Sequence, residues 1–166
     1  MSLMRRLPKV WFAIGVLFAC MNAHARLSDF DGGIHGLSEH IGRGNWTLVM
    51  IWSATCGTCH HEAPRVEAFH RKYADSGVQV LGISVDSRAG VAAARRFVRE
   101  HGLTFPNLVG DRDDVALLYL DATGTYLAGT PGFLMYDPQG VLRTFGVGPI
   151  DVVRLERILA ERPVQR

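Results

Sequence analysis

Two cysteines separated by two residues, Cys56 and Cys59, are the side chains best suited to chemistry in this chain of 166 residues. A thiolate is a strong nucleophile, and two thiols so close in the chain can form a disulfide and reopen it. A disulfide that closes so short a loop restrains the unfolded chain less than a long-range one, so the pair is poorly placed as a structural cross-link. The spacing therefore indicates a redox pair.

The elements predicted around the pair favour that chemistry. The apolar run Leu48–Trp52 precedes it and predicts a strand buried on both faces. A pattern of apolar residues at spacings of three and four begins at Cys59 and predicts a helix. The N-terminus of a helix offers unpaired N–H groups and a partial positive charge, and both favour a thiolate. We therefore expect Cys56 to be the exposed nucleophile and Cys59, one turn inside, to attack the mixed disulfide.

Two further features are candidates for the same site. Glu62 stands three residues after Cys59, so a helix places both on one face, where the carboxylate could exchange protons with Cys59. A solvated glutamate in a first helical turn is the alternative interpretation. Thr130 and Pro131 directly precede a predicted strand, where a proline is confined to an edge, a strand start or a special turn. Because cis bonds are uncommon even before proline, the residues alone favour a trans bond there.

The remaining patterns predict strands alternating with helices and ending in a hairpin and a helix. The other predicted strands are 78–85, 105–109, 133–136 and 141–147, and the other predicted helices are 89–101, 113–120 and 150–160. Residues 26–46 are rich in glycine and polar residues, and we expect short strands or loops there. This order predicts the α/β class, with a mixed central sheet and helices on both faces.

The first 25 residues differ in composition from the rest. A basic start without acidic residues is followed by the apolar run Val10–Met21 and by Ala23–Ala25, a small-x-small cleavage pattern. We expect a signal peptide over 1–25 and one domain over 26–166, with an uncleaved anchor, or lipidation of Cys20, as alternatives. Cleavage would remove three of 18 basic residues and none of 16 acidic ones, which changes the formal net charge from +2 to −1. We therefore expect no nucleic-acid partner.

Three other chemistries compete for the cysteine pair. With His60 it forms Cys-x-x-Cys-His, the attachment motif of c-type haem, although a preceding strand in an α/β pattern is unlike a small helical cytochrome. His60 and His61 could join the sulfurs around copper or zinc, but consecutive helix residues point apart, and we interpret both as exposed histidines. The third is peroxide reduction. Peroxiredoxin-like proteins carry a threonine three residues before the reactive cysteine, and no threonine stands three residues before Cys56 or Cys59. We expect no bound cofactor and no metal.

The strand, the segment W-S-A-T-C-G-T-C-H-H-E-A-P and the later T-P before a strand resemble the thioredoxin superfamily, in particular its TlpA/ResA-type periplasmic branch. The resemblance implies a thioredoxin-like fold over the domain and makes Glu62 a functional acid. It makes Thr130 and Pro131 the cis-proline pair that packs against the disulfide and aligns a substrate segment. Thr58 departs from the usual proline before the second cysteine. A residue between the cysteines tunes the reduction potential, so this departure bears on the direction of electron flow.

The resemblance also implies partners and a location. We expect a periplasmic thiol–disulfide oxidoreductase acting as a reductase of cysteine-containing exported proteins, with apocytochrome c and copper-site proteins as candidates. Because the periplasm is kept oxidising, its electrons are expected to come from a membrane thiol donor.

Overall fold

The computed structural model describes residues 26–161, which form one seven-stranded sheet with four α-helices. The strands are β1 (Leu27–Ser28), β2 (Ile34–His35), β3 (Trp46–Trp52), β4 (Val78–Ser84), β5 (Asn107–Val109), β6 (Gly132–Tyr136) and β7 (Leu142–Val147). The helices are α1 (Gly57–Tyr73), α2 (Val91–Glu100), α3 (Arg112–Thr123) and α4 (Val152–Ala160). Three single turns of 3-10 helix cover Leu37–Glu39, Ala74–Ser76 and Arg88–Gly90.

The sheet is mixed, with strand order β2-β1-β5-β4-β3-β6-β7. β3, β4 and β5 run parallel, while β6 pairs antiparallel with both β3 and β7. Because β3 lies between β4 and β6, every one of its seven residues is buried, as its continuous apolar run predicts. The end of this central strand carries the turn that leads into α1.

Helices cover both faces of the sheet. One core, which includes Met50 and Trp52, packs the sheet against α1, α2 and α4. The other core, which includes Val49 and Ile51, packs it against α3. Successive β3 residues point to opposite faces and so enter different cores. The predicted α/β class, mixed sheet and helices on both faces are confirmed.

Most predicted elements are present, with shifted ends. α1 begins two residues earlier than its apolar pattern indicates, because Gly57 and Thr58 form its first turn without contributing apolar side chains. The predicted helix 89–101 is divided into a 3-10 turn and α2, and it ends before Gly102, whose φ of +57° favours glycine. The glycine-rich segment 26–46 does contain short strands, β1 and β2.

Two expectations concern residues that the structure does not describe. The signal peptide predicted over 1–25 and the lipidation alternative at Cys20 lie outside the described residues. Within residues 26–161, no helix has the length and apolarity needed to cross a membrane.

Candidate active site

The two cysteines occupy unequal positions at the start of α1. Cys56 is the N-cap residue, and its Sγ accepts a hydrogen bond of 3.1 Å from the Cys59 backbone N–H. The two sulfurs are joined as a disulfide, with 5.2 Å between the Cα atoms. Cys56 is half-buried, whereas Cys59 is fully buried. A partner can therefore reach the first sulfur and not the second.

The turn before Cys56 is held by a carboxylate from the neighbouring strand. Asp86, two residues after the end of β4, accepts hydrogen bonds from the Ser53 hydroxyl (2.6 Å) and the Ala54 N–H (2.8 Å). The Ser84 hydroxyl also donates to it, at 2.7 Å. Sequence reasoning missed Asp86 as a site residue. Parallel strands bring their carboxyl ends to one edge of a sheet, so its place after a buried strand was the available signal.

Thr130 and Pro131 lie against the exposed sulfur. The Thr130 carbonyl oxygen is 3.2 Å from Cys56 Sγ. The Thr130–Pro131 bond is cis, so the trans bond favoured by the residues alone is wrong. On the other side of the bond, the Gly148 N–H donates to the Pro131 carbonyl at 2.7 Å. The structure thus brings residues 74 positions apart together at Cys56.

Glu62 is buried one helical turn after Cys59. Its side chain is only 5% exposed, and its two oxygens have different partners. The Ile150 N–H donates to Oε2 at 2.9 Å, and Arg65 donates to Oε1 at 2.8 Å. The alternative of a solvated surface glutamate is therefore wrong. The carboxylate is fixed in the interior at the junction of α1 and the segment that leads into α4.

The two histidines after Cys59 differ from each other. His61 is exposed, as expected, but His60 is half-buried, and the expectation of an exposed side chain is wrong for it. The His60 ring bonds the Ala54 carbonyl through Nε2 (3.0 Å) and His101 through Nδ1 (2.8 Å). With both ring nitrogens engaged, His60 is not arranged as an axial haem ligand. Within residues 26–161, no three side chains of histidine, cysteine, aspartate or glutamate converge on a point that could hold a metal ion.

An aromatic column supports this corner of the site. Trp52 stacks on Phe97 with 4.2 Å between ring centroids, and its indole N–H donates to Asn107 at 3.2 Å. Phe97 in turn contacts the rings of His60 (4.7 Å) and His101 (4.6 Å). The end of β3 is thereby linked through packed rings to the start of α1 and the end of α2.

Comparisons with known proteins agree with this geometry. The chain matches the AhpC/TSA family over residues 21–145. It is 26% identical over 123 residues to the thiol-disulfide oxidoreductase ResA of Oceanobacillus iheyensis, an alignment covering 74% of this chain and 59% of that protein. It is 28% identical over 115 residues to ResA of Bacillus thuringiensis, covering 69% and 60%. The matched part thus spans about 60% of the length of these relatives.

Solved structures share the fold at lower sequence identity. A thiol:disulfide interchange protein of the thioredoxin family from Chlorobium tepidum superposes with a TM-score of 0.65 at 18% identity, covering 82% of this chain and 93% of that one. A secreted disulfide oxidoreductase of Mycobacterium tuberculosis gives a TM-score of 0.61 at 21% identity, covering 84% and 97%. The chain therefore belongs to the AhpC/TSA family and has the thioredoxin-like fold, with the TlpA/ResA-type proteins as its relatives.

Proposed function

We propose that this protein is an exported thiol–disulfide oxidoreductase that works by dithiol exchange at Cys56 and Cys59. The observation that carries the proposal is the unequal pair of sulfurs, one half-exposed at a helix N-terminus and the other fully buried behind it. The names of the ResA relatives support the same chemistry. The segment predicted as a signal peptide supports export.

The reaction proceeds in two exchanges from the reduced protein. The Cys56 thiolate attacks one sulfur of a target disulfide; the target S–S bond breaks, a mixed disulfide forms, and one target thiolate leaves. The Cys59 thiolate then attacks Cys56 Sγ, which closes the internal disulfide and releases the second target thiolate. The target gains two electrons and, at neutral pH, two protons, while this protein loses the same two electrons.

The surrounding residues have distinct roles in these exchanges. The Cys59 N–H and the start of α1 stabilise negative charge on Cys56 Sγ. Glu62 takes the proton that Cys59 must lose before its attack, because it is the carboxylate one turn further along the same helix. Thr130 and Pro131 align an extended target segment beside the exposed sulfur.

The site favours exchange over peroxide reduction. The position three residues before Cys56 is Ser53, and its hydroxyl donates to Asp86. A hydroxyl committed in this way is not directed at the reactive sulfur. We therefore place this member of the AhpC/TSA family among the exchange proteins.

The direction we propose is reductive. Its targets are cysteine-containing exported proteins, with apocytochrome c and copper-site proteins as candidates. A membrane thiol protein supplies the electrons and is itself oxidised when it does so. The ResA relatives support the assignment to this branch. The periplasm is the expected compartment, since an oxidising surrounding makes a dedicated reductant necessary.

Cysteine variants test the exchange mechanism. Cys56→Ser should abolish reduction of a model disulfide such as insulin, because no accessible nucleophile is left. Cys59→Ser should trap mixed disulfides with periplasmic proteins, visible as species that disappear on adding dithiothreitol. A Cys59→Ser protein that traps nothing, or a Cys56→Ser protein with full activity, contradicts the mechanism.

The reduction potential tests the direction separately. Equilibration against glutathione buffers should give a value well below the roughly −120 mV of the strong periplasmic oxidant DsbA. A potential near that value would refute the reductive direction while leaving the exchange chemistry intact.

A further inference from the structure

The contact between His60 and His101 constrains where protons can reside beside the cysteines. A carbonyl oxygen only accepts hydrogen bonds, so the His60 Nε2 that lies 3.0 Å from the Ala54 oxygen must carry hydrogen. The 2.8 Å contact between His60 Nδ1 and His101 Nε2 has room for a single hydrogen. Either His60 accepts there and is neutral, or it donates there and is cationic. The pair therefore holds no more than one hydrogen along that contact, and His60 can be charged only while His101 Nε2 accepts.

The surroundings of His101 disfavour a positive charge on its ring. Burial, and then the charge of His60, hold the pKa of His101 below its ordinary value, against a smaller raising effect of Glu100. An open cavity beside the pair is lined by the side chains of Arg96 and Glu100 from α2. Asp86 faces the same turn through the Ala54 N–H. Of the two members, His60 is the one nearer in sequence to the cysteines, and a hydrogen on its Nδ1, beside the one fixed on its Nε2, makes it the cation of the pair.

His60 is tied to the nucleophile on both sides. Its backbone N–H donates to the Cys56 carbonyl at 3.2 Å, and its ring holds Ala54, two residues before Cys56. A charge on this ring is adjacent to the first turn of α1, where the thiolate of the reduced protein is formed. A nearby cation favours a thiolate over a thiol.

We propose that the hydrogen-bonded pair His60 and His101 positions Cys56 and stabilises its thiolate. The pair holds the turn before Cys56 through the Ala54 carbonyl, and it binds one proton, which stabilises the thiolate when it makes His60 a cation. The proposal rests on the proposed exchange function and adds a pH dependence to it. On reduction, the disulfide accepts two electrons; one proton goes to Cys59 and one to the histidine pair, so that Cys56 stays a thiolate. His61 is exposed and is not a member of the pair.

The test is the rate of alkylation of reduced protein by iodoacetamide between pH 5 and pH 9, with the Cys56 peptide identified by mass spectrometry. His60→Gln keeps a donor for the Ala54 carbonyl but cannot take up a proton. At pH 5.5 its rate constant should be about tenfold below that of the unaltered protein, as expected for the loss of one neighbouring positive charge. At pH 9 the two rate constants should agree within about twofold, because that pH lies above the ordinary pKa values of both histidine and cysteine.

Three further variants separate the pair from a merely structural contact. His101→Leu removes the acceptor and should lower the rate at pH 5.5 at least threefold, whereas His101→Gln, which offers an amide oxygen, should restore it. His61→Gln is the matched control and should follow the unaltered protein at every pH. An unchanged pH profile in His60→Gln or in His101→Leu would overturn the proposal, as would an equal loss in His61→Gln.

This assay also separates the proposal from the function on which it rests. Alkylation reports the Cys56 thiolate itself and needs no target protein. A Cys56 that does not react at any pH in the unaltered protein would refute the exchange function, while a reactive Cys56 indifferent to His60 would refute only the histidine pair.

Discussion

The buried carboxylate of Glu67 allows a quantitative test of how this fold is held together. Glu67, on α1, is 5% exposed and accepts hydrogen bonds from the Thr104 N–H (2.9 Å), the Thr104 hydroxyl (2.7 Å) and Arg71 (2.6 Å). Burial by itself raises the pKa of Glu67, but these hydrogen bonds outweigh it and hold the pKa below its ordinary value. The ionised form therefore anchors the segment between α2 and β5 to α1.

The change Glu67→Gln keeps the shape and removes the charge. The glutamine amide has one acceptor oxygen, which can face the Thr104 N–H, while its –NH2 group can only donate to the Thr104 hydroxyl, which must turn round to accept. Two neutral hydrogen bonds of about 1 kcal/mol each then replace two charge-assisted ones of about 2 kcal/mol each. The ion pair with Arg71 adds little, because that side chain is 65% exposed. We expect the free energy of unfolding to fall by about 2 kcal/mol at pH 7, which is about 7 °C in melting temperature for a domain of this size.

The stability lost in Glu67→Gln should become smaller as the pH falls. Because the folded pKa of Glu67 is lowered, its contribution is complete above the unfolded value of about 4.5 and disappears as pH falls through the folded pKa. Urea unfolding of both proteins, followed by circular dichroism from pH 7 to pH 3, should show the stability difference shrinking below about pH 4.5. The exposed Glu161→Gln serves as control and should change stability by less than about 0.5 kcal/mol. A difference that is constant over this range, or below about 0.5 kcal/mol at pH 7, would refute the argument.

Two further predictions concern the site and its frame. Glu62→Gln should slow target release about 100-fold, the usual scale of a lost proton acceptor, while the first attack by Cys56 proceeds normally in single-turnover measurements; equal slowing of both steps would contradict the assigned role. Ser87→Gly should raise the free energy of unfolding by about 1 kcal/mol, because Ser87 adopts φ +60° with ψ 175°, a conformation that glycine adopts with far less strain. A lower denaturation midpoint in that variant would show that the serine side chain compensates for the strain.

The sequence was most informative where one local pattern determined the outcome. The continuous apolar run before the cysteines predicts a strand buried on both faces, and β3 is such a strand because it lies between two neighbours. The apolar spacing that follows this strand likewise predicts that Cys56 and Cys59 lie at the start of a helix, as they do. The first turn of α1 was missed because Gly57 and Thr58 carry no apolar periodicity.

The features that were missed depend on distant partners. Nothing near Glu62 indicates that the Ile150 N–H, 88 residues away, will bury and bind its carboxylate. His60 and His101, 41 residues apart, meet only because α1 and α2 lie on the same face of the sheet. The cis bond before Pro131 likewise goes against the local preference for a trans bond.

The hydrogen bond from the Ile150 N–H to Glu62 limits which part of the site can be grafted onto another protein. The stretch that matches the family ends at residue 145, before Ile150 is reached. A graft of β3, the cysteines and α1 onto another scaffold would carry the acid without the amide that binds it. In such a graft, the carboxylate oxygen that accepts from Ile150 would have no hydrogen-bond donor in an apolar site. The side chain would then turn towards solvent or stay protonated. The transferable unit is therefore the helix together with the segment between β7 and α4.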